Sequence, residues 1–390
     1  MSSGEGFELE ADLKRRHAIL RESLADAGGD ALVATREGVV TYLTGYTTAT
    51  WSNHSRPIVA ILTPSTLDVV CAETEADAVH LRVPGVTVHP YVELRPVAGL
   101  RGLPDGAIQF TPHACEVLAT VLRERDAATI GVDALGAVHP PASRIVDLLP
   151  ESIERFDASG QLWAARLRKS AWEIERMHAA ADILDRAFTD LGAALKPGMS
   201  EREIHNVLAA ASFTHGAHRL GYTMAVAGVD RGLFGDPTER RWQKGEVLFV
   251  DGGVVVDGYW ADYCRMYTVG APTPSQRDDY ARAVRALDAA VALDAAPTAS
   301  SLGNAIGAAL DLPPGGVGFG RFGHGIGLYM PEPPSLHPDD PTPLEDGTVL
   351  CVEPAYLGST GNYVVEEEHV ASNGRLSRIS PQAPRSLIEI

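Results

Sequence analysis

The side chains with the clearest chemical potential lie in the C-terminal half of the chain. The stretch Val247–Arg265, VLFVDGGVVVDGYWADYCR, places Asp251 and Asp262 eleven residues apart on two apolar runs rich in β-formers. Between them, Asp257-Gly258 predicts a tight hairpin turn that lays the runs side by side, so the two carboxylates can converge. A carboxylate inside an apolar strand is costly to bury unless a cation or a full set of hydrogen bonds offsets the cost. His324 lies in FGHGIGL, where flanking glycines let backbone and ligands approach closely. Glu353 ends the apolar run of VLCVEPAY, and Glu366-Glu367-Glu368 follows Tyr363–Val365. Two aspartates, one histidine and two glutamates form a set of hard oxygen donors with one imidazole. That set suits two divalent ions, with Mn first and Co, Fe or Zn as alternatives. Two such ions about 3.5–4 Å apart can share a water, lower its pKa and polarise a carbonyl. The plain alternative is an interior aspartate on each strand with no ligand role.

The surrounding pattern must position these groups. A helix is expected over 8–27, strands near 31–34, 57–62, 67–71 and 129–132, and helices over 74–82 and 111–126. Alternating short strands and helices predict a small α/β domain over residues 1–158. Two capping boxes, Ser170 with Glu173 and Ser200 with Glu203, open helices on either side of Lys196-Pro-Gly198. Strands near 222–227, the 247–269 hairpin, helices over 274–293 and 302–310, and strands near 348–353 and 363–370 predict an α+β domain over 159–390.

At 390 residues the chain is long enough for two full cores. A net charge of −18 argues against nucleic acid and anionic membranes as partners. No apolar run reaches signal-peptide or membrane-spanning length. Four scattered cysteines without a CxxC argue against a disulfide framework and for a reducing cytoplasm. Gly318–Gly323 matches GxGxxG, but no strand pattern precedes it and HGIG follows, so a dinucleotide site is not expected.

The order DGG…DYCR, GHGIGL, VEPAY, VEEEHV resembles the metallopeptidase family with the pita-bread fold. That family includes Xaa-Pro dipeptidase, aminopeptidase P, methionine aminopeptidase and creatinase. DALVATREGVVTYLTGY resembles the N-terminal domain of its prolidase and creatinase branch, and LRKSAWEIERMHAAADI resembles the helix that opens the catalytic domain. The resemblance implies a pita-bread catalytic domain preceded by a smaller creatinase-like α/β domain. It assigns ligand positions to Asp251, Asp262, His324 and Glu353, with Asp262 and one glutamate bridging two ions. Prolidase-like spacing gives Glu367 as the fifth ligand, whereas matching VVE to the apolar-apolar-Glu pattern gives Glu366. Glu366 and Glu368 share one strand face and Glu367 takes the other; Glu367 is the expected ligand. The implied activity is hydrolysis of a C–N bond in a dipeptide or other small amide, with attack by a metal-bridging hydroxide. Glu353 and His324 are the expected catalytic residues, Glu353 shuttling the proton. The implied assembly is a cytoplasmic homodimer.

Two departures from that family stand out. Its peptidases carry histidines where this chain has Phe234 and Pro331, both at substrate-binding positions in the outer shell. His215, His218, His337 or His369 could substitute. In the loop TWSNHSRP, Arg56 is a candidate clamp for a substrate carboxylate, with Trp51 and His54 as a wall, reaching across a dimer interface as in the creatinase branch. The alternatives are a creatine- or ectoine-type hydrolase, a lyase, or a catalytically silent binding protein.

Overall fold

The computed structural model describes residues 3–52, 56–97, 107–110, 113–133, 141–228, 235–293, 297–313 and 320–390. The chain divides into two compact units, Met1–Arg166 and Leu167–Ile390. The helix Ser159–Leu167 runs up to that division. Its Leu162 and Ala165 are buried, and the Ala165 carbonyl accepts the Tyr42 hydroxyl at 3.1 Å.

The first unit is organised on a six-stranded mixed sheet with spatial order 87–91, 67–72, 59–62, 31–34, 129–132, 154–157. Val33, Ile61, Val70 and Ile130 pack with Leu118 and Leu122 of the helix His113–Glu124. These β-branched and leucine side chains give the alternating α/β layer that the sequence predicts.

In the second unit, Arg219–Ala227, Val247–Val256 and Tyr259–Thr268 form an antiparallel sheet, with Ile388–Glu389 added along part of the last strand. The hairpin turn is the expected one. Asp257 and Gly258 both adopt positive φ, 50° and 89°, as a type I′ turn requires. One face of this sheet is covered by the helices Ala171–Ala194 and Glu201–Thr214. Leu184 and Leu208 crowd Gly252, and Tyr263 stacks on Phe188 and donates its hydroxyl to the Ala181 carbonyl. Both helices begin with the expected capping boxes at Ser170 and Ser200.

The opposite face carries Asp251, Gly253 and Asp262. A second antiparallel sheet has the order 332–335, 323–325, 349–352, 367–372, 375–378. Phe249, Cys264 and Met266 of the first sheet join Phe322, Leu350 and Val352 of the second in one apolar cluster, closed by Leu287 and Ile306 of two further helices. That core fixes the two sheets against each other beside the polar residues.

Candidate metal centre

Register decides which side chains meet. Asp262 lies opposite Gly253, and Gly253 lies opposite Tyr222 on the next strand. Directly opposed residues share a face, and glycine between them leaves room for the phenol: a Cβ on Gly253 would sit 3.1 Å from Tyr222 Cε1. The Tyr222 hydroxyl contacts Asp251 Oδ2 at 2.9 Å and also bonds to Asp262 Oδ1. A phenol has one proton, so it ties both carboxylates to a single point. Burial, followed by the charges of Asp251 and Asp262, pushes the Tyr222 phenol well above its ordinary range. It therefore acts as a donor and not as an ionised base.

His324 enters from the second sheet on the short strand Gly323–Gly325. A Cβ at Gly323 would lie 2.1 Å from the Cys351 carbonyl oxygen, and one at Gly325 would lie 2.1 Å from that of Pro333. The flanking glycines thus permit backbone packing that no other residue allows. His324 Nδ1 lies 3.0 Å from the Gly325 carbonyl oxygen, and Nε2 lies 3.6 Å from Asp262 Oδ2. Donation from Nδ1 leaves the Nε2 lone pair facing the carboxylates, the tautomer a metal ligand needs. Burial lowers the imidazole to about 4, so it is held neutral.

Asp262, His324, Cys351 and Glu366 bring potential ligand atoms within 4.8 Å of one another. Asp251 joins through Tyr222, and its charge raises Asp262, Glu353 and Glu366. Burial is the largest cause in each case; it lifts Asp251 to about 6 and Glu353 to about 8. Asp251, Asp262, His324 and Glu366 are buried, whereas Glu353 is half-buried.

Glu367 stands outside this group, which corrects the expectation that it is the fifth ligand. It lies opposite Val352, while Glu368 lies opposite Cys351, so the two glutamates point to different faces. The Glu367 carboxylate accepts the Ala383 N–H at 2.8 Å and lies 3.4 Å from His369 Nε2 and 3.6 Å from Arg378 Nη1. Those partners lower its pKa despite burial. His369 is accordingly committed to Glu367, and among the other substitute histidines His215 pairs with Asp190.

The remaining substrate candidates are placed as follows. Phe234 and His54 lie outside the described residues. Pro331 lies in a turn held by Glu332, which accepts Leu328 N–H and Tyr329 N–H at 3.0 Å each and pairs with Lys169 at 3.2 Å. In the first unit, Trp51 is half-buried in the turn Ala49–Ser52, and the Arg56 guanidinium is paired with the buried Glu93. The sequence does not single out Tyr222, and it places Glu368 on the face of Glu366 without giving it a role. Tyr222 sits on an expected strand, but only its pairing with Gly253 reveals where it points.

The buried donors fit divalent cations. Asp251, Asp262, Glu353, Glu366 and Glu368 are crowded together, and among the described residues none of them forms an ion pair with Lys or Arg. Asp251 Oδ1 and Glu368 Oε2 are buried without a hydrogen-bond partner among the described residues. Unpaired buried carboxylates are strongly unfavourable, and a carboxylate-rich set with one imidazole is what hard or borderline divalent ions take.

Two facing sheets that hold such a group between them define a metallopeptidase-type centre in a pita-bread fold. The profile of metallopeptidase family M24 matches residues 175–372, and the chain belongs to that family. It is 31% identical over 236 residues to the putative dipeptidase YkvY of Bacillus subtilis, across 57% of this chain and 62% of the relative. It is 26% identical over 224 residues to the Xaa-Pro dipeptidase of Pyrococcus furiosus, across 55% of this chain and 63% of the relative. The matches thus span less than two thirds of these relatives' lengths. The solved X-Pro aminopeptidase of Thermotoga maritima superposes with a TM-score of 0.80 over 96% of this chain and 99% of that one; at 20% identity it shows the shared fold alone.

Proposed function

We propose that this chain is a metal-dependent hydrolase that cleaves the C–N bond of a dipeptide or other small amide. The observation that carries the reading is the convergence of Asp262, His324 and Glu366 within 4.8 Å, with Asp251 tied to Asp262 through Tyr222 and its charge felt by Glu353, and with no ion pair to Lys or Arg among the described residues. These four carboxylates and His324 would hold two divalent ions, Mn fitting the carboxylate-rich set best. When bound, such ions supply a water of lowered pKa and polarise the scissile carbonyl.

The protein's own groups do the rest. Tyr222 holds Asp251 and Asp262 in one orientation, and the Gly325 carbonyl fixes the His324 tautomer. Glu353 would take a proton from the nucleophilic water and return it to the leaving amine. Phe234 and Pro331, standing where relatives use histidines, favour a substrate outside the ordinary Xaa-Pro dipeptides. A non-peptidase hydrolase or a lyase is the second reading for that reason.

The test is metal analysis of the purified protein combined with a Mn2+-supplemented panel of Gly-Pro, Ala-Pro and non-prolyl small amides. We expect stoichiometric metal and weak Xaa-Pro turnover. Efficient Gly-Pro cleavage would restore plain prolidase activity, and failure to retain any divalent ion would leave a binding protein.

A further inference from the structure

The strand Tyr259–Thr268 has a partly bare edge. Among the described residues, Ile388–Glu389 pairs with it at Tyr267 and Thr268 only, and no strand lies along that edge beside Asp262. In an antiparallel strand, alternate residues send both N–H and C=O to the same edge. Trp260 N–H points there and meets the Gly327 carbonyl at 2.9 Å. Asp262, two residues on, points the same way.

Neither main-chain group of Asp262 is left open, and both are met by side chains. Glu368 Oε1 accepts the Asp262 N–H at 2.7 Å, and the Cys351 thiol lies 3.5 Å from the Asp262 carbonyl oxygen as its donor. Cys351 and Glu368 are themselves directly opposed partners on neighbouring strands of the second sheet. They therefore form a two-pronged clamp, one prong for each polar group of a single peptide residue. Glu368 is fixed in turn, because its own N–H donates to Ser380 Oγ at 2.9 Å.

We infer that the Cys351–Glu368 pair is a positioning device that sets the main chain of Asp262, and through it the carboxylate shared between Tyr222, Asp251 and the His324–Glu366 side. A carboxylate held only by its own rotamer can drift by an ångström when the strand beneath it moves, and metal sites depend on such outer supports. Neither clamp residue needs to touch an ion. The inference rests on the metal-centre reading above.

The test compares Glu368→Gln, which keeps a carbonyl acceptor for the Asp262 N–H, with Glu368→Met, which keeps the length and removes the acceptor. Each is stripped of metal and titrated with Mn2+ by calorimetry, alongside thermal melts of the metal-free forms. We expect Gln to bind Mn2+ like the parent and Met to bind about 10–100-fold more weakly, the range seen when outer-shell supports are lost. Rescue by Gln is a result that a purely structural role would not produce. Met binding as tightly as the parent, or Gln as weak as Met, would overturn the inference. If Met does not fold, Cys351→Val against Cys351→Ser decides it: Val is expected to weaken Mn2+ binding and Ser to restore it, and equal binding would refute the clamp. A parent that binds neither Mn2+ nor Co2+ would sink the metal-centre reading itself.

Discussion

Exchanging the roles of Glu366 and Glu367 gives the sharpest test of the site. Glu367→Ala removes the acceptor of the 2.8 Å Ala383 N–H and the partner 3.4 Å from His369. Losing a buried hydrogen bond to a charged group costs about 1.5–3 kcal/mol. Arg378 is 38% exposed and adds little. A total of about 2–4 kcal/mol follows, which lowers Tm by roughly 5–15 °C for a unit of this size. Bound metal should not change, because Glu367 faces away from His324 and Asp262. Glu366→Gln should do the opposite. It replaces a carboxyl whose pKa is raised first by burial and then by the charges of Asp262, Glu353, Asp251 and Glu368. The metal-free melt should therefore hold or rise, since like-charge crowding is relieved, while retained Mn2+ falls. Scanning fluorimetry of the stripped proteins and elemental analysis after reloading and gel filtration read the two effects separately. A Glu367→Ala protein that melts like the parent but loses metal, together with a Glu366→Gln protein that keeps it, would refute the register argument.

Three further outcomes are expected. Tyr222→Phe deletes the one proton shared by Asp251 and Asp262 and should weaken Mn2+ binding about 10–100-fold; unchanged affinity would remove Tyr222 from the site's support. The Cys351 thiol is turned to the Asp262 carbonyl, and burial pushes it well above its ordinary range. Co2+-substituted protein should then lack a thiolate-to-cobalt charge-transfer band, and a strong near-ultraviolet band that vanishes in Cys351→Ser would make the thiol a ligand instead. Arg56→Ala leaves the buried Glu93 with Thr74 as its remaining side-chain partner among the described residues and should cost about 1–2 kcal/mol, discounted for the partial exposure of Arg56; a melt identical to the parent's, with substrate binding lost, would return Arg56 to the role of a substrate clamp.

Local chemistry made some of this readable in advance. The Asp257-Gly258 turn, the Ser170 and Ser200 caps and the glycines around His324 each follow from the backbone demands of a few neighbouring residues. The choice between Glu366 and Glu367 was of another kind. Side-chain period two fixes which residues share a face but not which face is inside, and the strand that would set the phase begins only at Glu367. The phase comes from Val352 and Cys351, which belong to a different strand. Tyr222 was hidden for the same reason: its role depends on a partner far along the chain.

The attachment of residues 383–390 makes this segment part of the frame of the centre. Ala383 is moored to Glu367, next in sequence to Glu366, while Ile388 and Glu389 lie alongside Tyr267 and Thr268 on the strand that carries Asp262. One short segment therefore spans both walls, like a stitch through two layers of cloth. Changes in this segment would therefore be felt as lost stability of both walls, as in the Glu367→Ala melt, with every candidate ligand still in place.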